Sequence, residues 1–321
     1  MYFFPKMPQS GENPVTQEGV ELGRYLFYDP ILSSDYSVSC ATCHEQSFAF
    51  ADNDQFSFGI DGQLTARNSM PLFNLAWNEA FFWDGRAKTI EDQVFFPVRD
   101  HKEMNLSWTE AEKRIRKSRF YRKKFKEAFG TSSIDSVLIA KAIAQFERSL
   151  ISSNSKYDKA LRGEAYLSKD EYDGFVLMND QSMANCLHCH PTDANALATT
   201  GKFSNNGLQN ATSPSDYSDK GRFDHTRQDK DVGLFKIPSL RNVAVTAPYM
   251  HDGRFKTLEE VLDFYSEGVN KSYNVDPKMT TAHVGGVQLT AEEKRKIICF
   301  LNALTDSTFL TNPQYANPWV K

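Results

Sequence analysis

Cys40-Ala41-Thr42-Cys43-His44 and Cys186-Leu187-His188-Cys189-His190 are the two stretches from which the rest of this sequence can be read. Each places two cysteines three residues apart, with a histidine directly after the second. That spacing lets two thiols add to the two vinyl groups of one porphyrin and holds the trailing imidazole beneath the iron as an axial ligand. The other use of four cysteines is a structural zinc site. It accounts for the thiols and leaves His44 and His190 idle. His188, inside the second motif, reads as a bystander. The second motif begins 146 residues after the first, about one domain length. Each domain is therefore expected to carry one covalent haem c.

The remainder of the 321 residues fits that frame. Apolar residues make up 40% of the chain, ordinary for a globular protein, and the net charge of −4 gives no reason to expect nucleic acid as a partner. No apolar run is long enough to span a membrane. The first residues, Met1-Tyr-Phe-Phe-Pro, lack the charged and apolar regions of an export signal, yet covalent haem attachment implies an oxidising compartment, the periplasm. A fifth cysteine, Cys299, reads as a small buried hydrophobe.

Helical periodicity dominates. It predicts helices over 16–27, over 109–129 with a break near Ser118, and over 133–149. Ser168 with Glu171 and Thr290 with Glu293 form capping boxes that open two more. The stretches 45–80 and 192–248 read as irregular, and 154–166 as a polar connection. The fold class expected is mainly α: two cytochrome c-like domains with long irregular loops, each wrapping one haem. The N-terminal domain spans 1–160 and the C-terminal one 161–321, with the first ~14 residues free to pack on the other domain. Nine Lys or Arg fall within 113–126, either a solvated helix face or a dock for an acidic electron donor.

Beyond the haem motifs, Arg67-Asn68-Ser69, Phe82-Trp83-Asp84-Gly85-Arg86-Ala87, Gln93, Pro97, Glu103-Met104, the run 142–150 and Ala247-Pro248-Tyr249-Met250-His251-Asp252-Gly253-Arg254 occur in order over residues 15 to 305. This set resembles the bacterial di-haem cytochrome c peroxidases, a family that includes MauG, which oxidises tryptophans of a partner protein. The resemblance implies that the haem on His44 is the peroxide site. It implies Glu103 as the distal acid–base residue, Gln93 as an amide donor to bound oxygen, Pro97 as a residue shaping the pocket, and Trp83 as an electron path between the haems. Taken singly, Glu103 would read as a surface carboxylate and Trp83 as core. The resemblance further implies a Ca²⁺ ion between the domains, held by the Asn68 side chain and the carbonyls of Thr246 and Pro248; all-oxygen ligation suits that ion.

Two departures from the peroxidase pattern matter. Where many relatives carry a distal histidine that caps the first haem, this chain has Ile60, which cannot bind iron. An open, five-coordinate resting haem is expected, with His101 the only nearby replacement. Fourteen residues after His251, where the peroxidases place a Met ligand for the second haem, stands Tyr265, as in MauG. A tyrosinate is a hard anionic donor that favours Fe(III) and higher states, whereas a thioether favours Fe(II). Tyr265 also shares a helical face with Leu258, Val261 and Leu262 and could be plain core, and Met279 is a rival ligand.

The function expected is reduction of hydrogen peroxide with electrons from a small cytochrome c or cupredoxin, by a monomer or homodimer. Ile60 and Tyr265 favour a MauG-like oxidase as the alternative, against which stands the absence of a tryptophan in the body of the second domain: the four are Trp77, Trp83, Trp108 and Trp319. A non-catalytic electron carrier is the third reading.

Overall fold

The computed structural model describes residues 4–8, 10–192 and 196–320. It is mainly helical, and the chain divides into two compact units that do not follow one cut in sequence.

One unit comprises Lys6–Glu79, Ala87–Ser152 and Thr308–Lys321. Its centre is the pair of helices Gln17–Tyr28 and Ser136–Ser149. Leu22, Leu26, Ile139, Ala140, Ala142 and Ile143 are fully buried there. The pair can approach closely because Gly23 has no side chain: a Cβ at that position would lie 1.9 Å from the Ala142 carbonyl oxygen. Thr16 caps the first helix, its hydroxyl accepting from Gly19 N–H at 3.0 Å. The helix Ile90–Arg99 joins them through a two-pronged ion pair, Arg148 donating to both Glu91 oxygens at 2.6 and 2.7 Å. Ser118 closes the helix Trp108–Lys117 and its hydroxyl caps Arg119–Phe129, the break expected near that residue. Several cations of these helices pair with Glu110, Glu112, Glu127 and Glu21. The C-terminal tail returns to this unit, where Gln46 donates to the Phe309 and Asn312 carbonyls.

The other unit comprises Ala80–Arg86, Ser153–Ser307 and the described part of Met1–Pro5. Its helices Lys169–Asn179 and Ala291–Ala303 begin at the expected capping boxes and again touch at a glycine, Gly174. The stretch 154–166 holds a helix, Lys156–Leu161, with its own capping box at Ser155 and Asp158. Its polar composition hid it, because only Tyr157 and Asp158 are buried and Asp158 is polar too: Arg241 donates to both Asp158 oxygens at 2.8 and 2.6 Å. Among its described residues the stretch 192–248 is irregular except for short helical turns and a two-stranded antiparallel sheet, Phe203–Ser204 against Phe235–Lys236. The segment Ala80–Arg86 is fastened here. Lys236 donates its backbone N–H to Trp83 O at 2.8 Å and its ammonium to Ala80 O at 2.6 Å. Among the described residues no helix is long and apolar enough to cross a membrane.

Candidate functional site

In the first unit the motif cysteines sit on the short helix Cys40–Cys43, whose start is held by Ser39 N–H donating to the Thr42 hydroxyl at 3.0 Å. The chain then folds back through an antiparallel bridge between Glu45 and Ala51, with Ala49 and Phe50 in the left-handed region. This turn aims the Phe50 carbonyl at the His44 ring, 2.8 Å from Nδ1. A carbonyl only accepts, so Nδ1 carries the proton and Nε2 keeps a free lone pair. Burial holds the imidazole below its ordinary pKa, against the pull of the Phe50 carbonyl. A neutral ring with a fixed tautomer is what an axial ligand requires. Burial pushes the Cys43 thiol up to about 12 and raises Cys40 further.

Glu103 is brought to this thiol pair by a loop-to-loop contact. The loop Phe58–Leu64 closes on itself through a bridge between its ends and lies flat against the turn that follows helix Ile90–Arg99. Ile60 N–H donates to Glu103 O at 2.9 Å, and a Cβ on Gly59 would lie 1.7 Å from Lys102 O and 2.8 Å from Glu103 Cα. On the other side Met104 N–H donates to Pro97 O at 3.2 Å. Gln93 stands one helical turn before Pro97, on the same face. The Glu103 carboxylate is near enough to add to the rise of both motif thiols, behind burial as the main cause. Backbone hydrogen bonds thus join Ile60 to Glu103 and Met104 to Pro97, and of these residues Glu103 is the one whose charge reaches the Cys40 and Cys43 thiols. Ile60 is buried. His101 points away, its side chain 73% exposed beside Asp100. A buried carboxyl missed by the sequence reading also lies here: Glu147, on helix Ser136–Ser149, is raised to about 8 by burial, with Oε2 unpartnered and its charge felt at Cys40. Its helical position on an apolar face was the available signal.

The second unit repeats the histidine device. His190 Nδ1 donates to Pro238 O at 2.9 Å, and burial lowers the ring to about 4. Burial also raises Cys186 to about 12 and Cys189 above the usual thiol range. Tyr265 does not continue the regular helix that starts at Leu258. The backbone widens into a π turn over Phe264–Gly268, a local form common at functional sites. Burial raises the phenol to about 12, and Cys186 and Cys189 lie near enough to contribute. Asn206 donates to its oxygen at 3.0 Å. Met279 packs in the same cluster, with Met250 and Phe255. His251 is buried and stacks on Phe235 at 3.6 Å, while His188, His225 and His283 are exposed. Cys299 is only half-buried, with Arg295 against its sulfur. Trp83, half-buried, rides on the clamped segment Ala80–Arg86.

Of the residues expected to hold calcium, Asn68 is buried and donates its amide to Asp54 O and Gln55 O at 3.2 and 3.3 Å. Thr246 and Pro248 flank Ala247, whose bond to Pro248 is cis. Among the described residues no group of three or more His, Cys, Asp or Glu forms a metal cage.

Two half-buried thiol pairs, each followed directly by a histidine whose Nδ1 donates to a backbone carbonyl, suit two c-type haems. Comparison with known proteins agrees. The family model for di-haem cytochrome c peroxidase matches residues 17–166. A cytochrome c551 peroxidase of Nitrosomonas europaea is 34% identical over 94% of this chain and 84% of its own length. The methylamine utilization protein MauG of Methylorubrum extorquens is 34% identical over 96% and 84%. The crystal structure of a MauG-like protein associated with microbial copper homeostasis superposes with a TM-score of 0.88 at 33% identity, covering 99% of both chains. The chain belongs to the di-haem cytochrome c peroxidase family.

Proposed function

We propose that this protein reduces hydrogen peroxide to water in the periplasm, as two cytochrome c-like domains, taking electrons from a small cytochrome c or cupredoxin. The observation that carries the reading is the docking of Glu103 against the Ile60 loop, beside the Cys40–Cys43 thiols. A proton-transfer group and a side chain with no lone pair stand together, where many relatives place a histidine. The bound haem supplies an iron that accepts oxidising equivalents from peroxide. His44 would hold it through Nε2, and Cys40 and Cys43 through thioether bonds. Glu103 takes the proton from one peroxide oxygen and returns it to the other, so that the departing oxygen leaves as water. Gln93 donates its amide N–H to oxygen at the site, and Pro97 shapes the wall beside it. Two electrons and two protons complete the conversion of one peroxide to two waters. His190, Cys186 and Cys189 would hold the second haem, with Tyr265 as its other ligand and Met279 as the rival. Trp83 would serve electron passage, and Asn68, Thr246 and Pro248 would bind Ca²⁺.

A second reading, a MauG-like oxidase acting on a partner protein, is favoured by one observation: Tyr265 lies near enough to the thiols of the second motif for their charges to reach its phenol. One experiment separates the two. The oxidised protein receives one equivalent of peroxide, and the Soret and near-infrared bands are followed with and without a reduced cytochrome c. Rapid peroxide loss coupled to cytochrome oxidation supports the peroxidase. A slowly decaying near-infrared band with poor cytochrome turnover supports the oxidase. No spectral change removes both.

A further inference from the structure

We propose that Asn206 is a positioning residue for Tyr265 that weakens it as a donor to the second haem iron and so sets the potential of that haem. The inference rests on the reading that Tyr265 ligates this iron.

The geometry is specific. Asn206 Nδ2 donates one hydrogen to the Tyr265 oxygen at 3.0 Å and the other to Met250 Sδ at 3.7 Å. Its own oxygen accepts from Leu208 N–H at 3.3 Å, which fixes which end of the amide faces the phenol. The backbone beneath is anchored. Gly207 N–H donates to Asn205 Oδ1, Asn205 donates to the Tyr217 hydroxyl at 2.8 Å, and Asn270 donates both backbone and side-chain N–H to Gly207 O. Tyr265 is anchored as firmly, its carbonyl accepting from Val287 N–H at 3.0 Å. The amide and the phenol therefore meet because two rigid stretches bring them together.

A phenolate oxygen has more than one lone pair. One serves a metal while another accepts the amide N–H. A neutral donor on a coordinated anion withdraws charge from the oxygen, weakens its hold on Fe(III) and raises the potential above that of a bare tyrosinate. Asn206 thus moderates the preference for the oxidised state that a tyrosinate confers. It also holds the ring, its amide N–H fixing the direction in which the Tyr265 oxygen lies.

The test is spectroelectrochemistry of both haems in the haem-loaded protein, with resonance Raman detection of the iron–phenolate vibration. The variants are Asn206→Leu, Tyr265→Phe and the double. Asn206→Leu keeps the volume and removes the donor. It should shift the one-electron equilibrium of the second haem toward the oxidised side by about tenfold, about 59 mV for one electron. The phenolate band should persist and the first haem should be unchanged. In the Tyr265→Phe background the same substitution should move nothing. An unchanged second potential with the phenolate band intact overturns the tuning role alone, as does an equal shift in the Tyr265→Phe background. An unchanged second-haem spectrum in Tyr265→Phe overturns the ligand reading and the tuning role with it. If Asn206→Leu does not fold, Asn206→Ser carries the test, because its hydroxyl serves the turn and is too short to reach the phenol.

Discussion

Replacing Gly59 by Ala should slow the reaction with peroxide by about 100-fold, although neither residue touches a reacting atom. Gly59 has φ −90°, so an alanine is conformationally acceptable there and the obstacle is steric alone. The new Cβ would sit 1.7 Å from Lys102 O and 2.8 Å from Glu103 Cα, both backbone atoms with no rotamer to yield. Relief requires the Ile60 loop and the Glu103 turn to separate by more than about 1 Å, and a misplacement of that size in a catalytic group costs about 10²-fold in rate. The overpacking itself should cost about 1–3 kcal/mol of stability, which leaves the fold intact. Stopped-flow mixing of the oxidised protein with peroxide measures the rate, and haem absorbance with thermal unfolding checks that the protein is loaded and folded. Placing Gly59→Ala in a Glu103→Gln background sharpens the test, because two changes that disable one device are not additive. A folded Gly59→Ala protein that reacts at the wild-type rate refutes the idea that this contact places Glu103.

Glu103→Gln alone should slow the same reaction by about 10²–10⁴-fold, the usual cost of losing an acid–base group; an unaltered rate removes Glu103 from the mechanism. Ile60→His should give the first haem a second nitrogen ligand, seen by EPR as loss of its high-spin ferric signal, with slower reaction until the protein is partly reduced. Glu147, raised to about 8 in the fold from 4.5, stays protonated while the unfolded chain ionises, so wild-type stability falls as pH rises from about 4.5 to 8. Glu147→Gln should remove that fall, a difference on the order of 5 kcal/mol at the upper end of the window. Denaturant unfolding of both proteins at pH 5 and pH 8 measures it, and parallel curves would show that Glu147 is not the group responsible.

What the sequence made legible follows from how far each interaction reaches along the chain. The thiol–imidazole motif and the capping boxes at Ser168 and Thr290 are built within a few residues, so their spacing displays them directly. The break at Ser118 was visible for the same reason: one hydroxyl side chain ends one helix and starts the next. The partners that prepare each axial histidine are less evident. Phe50 O lies six residues from His44, but Pro238 O lies 48 from His190, and a carbonyl carries no residue identity to search for. Asn206 and Tyr265 are 59 residues apart in irregular chain, and nothing in the local sequence marks either as the other's partner. Glu147 shows the converse: its place on an apolar helix face signals burial, yet only the packed structure shows Oε2 without a partner.

The two departures from the peroxidase pattern share a mounting that explains how they can vary while the fold does not. Ile60 is fixed by its backbone N–H on Glu103 O and by the packing of Gly59 beside it. Tyr265 is fixed by its carbonyl, which accepts from Val287 N–H and lies so close to Gly286 that a Cβ there would come within 2.2 Å. In both cases the main chain holds the position through contacts that do not involve the side chain. An exchange of side chain at such a position alters what is offered to a metal without disturbing the hydrogen bonds that place it. Relatives named as peroxidases and as MauG proteins can then be equally similar to this chain, at 34% identity each, because the chemistry that distinguishes them need not be written into the scaffold. Overall similarity therefore does not separate the two activities, and on the roles proposed for them residues 60 and 265 do.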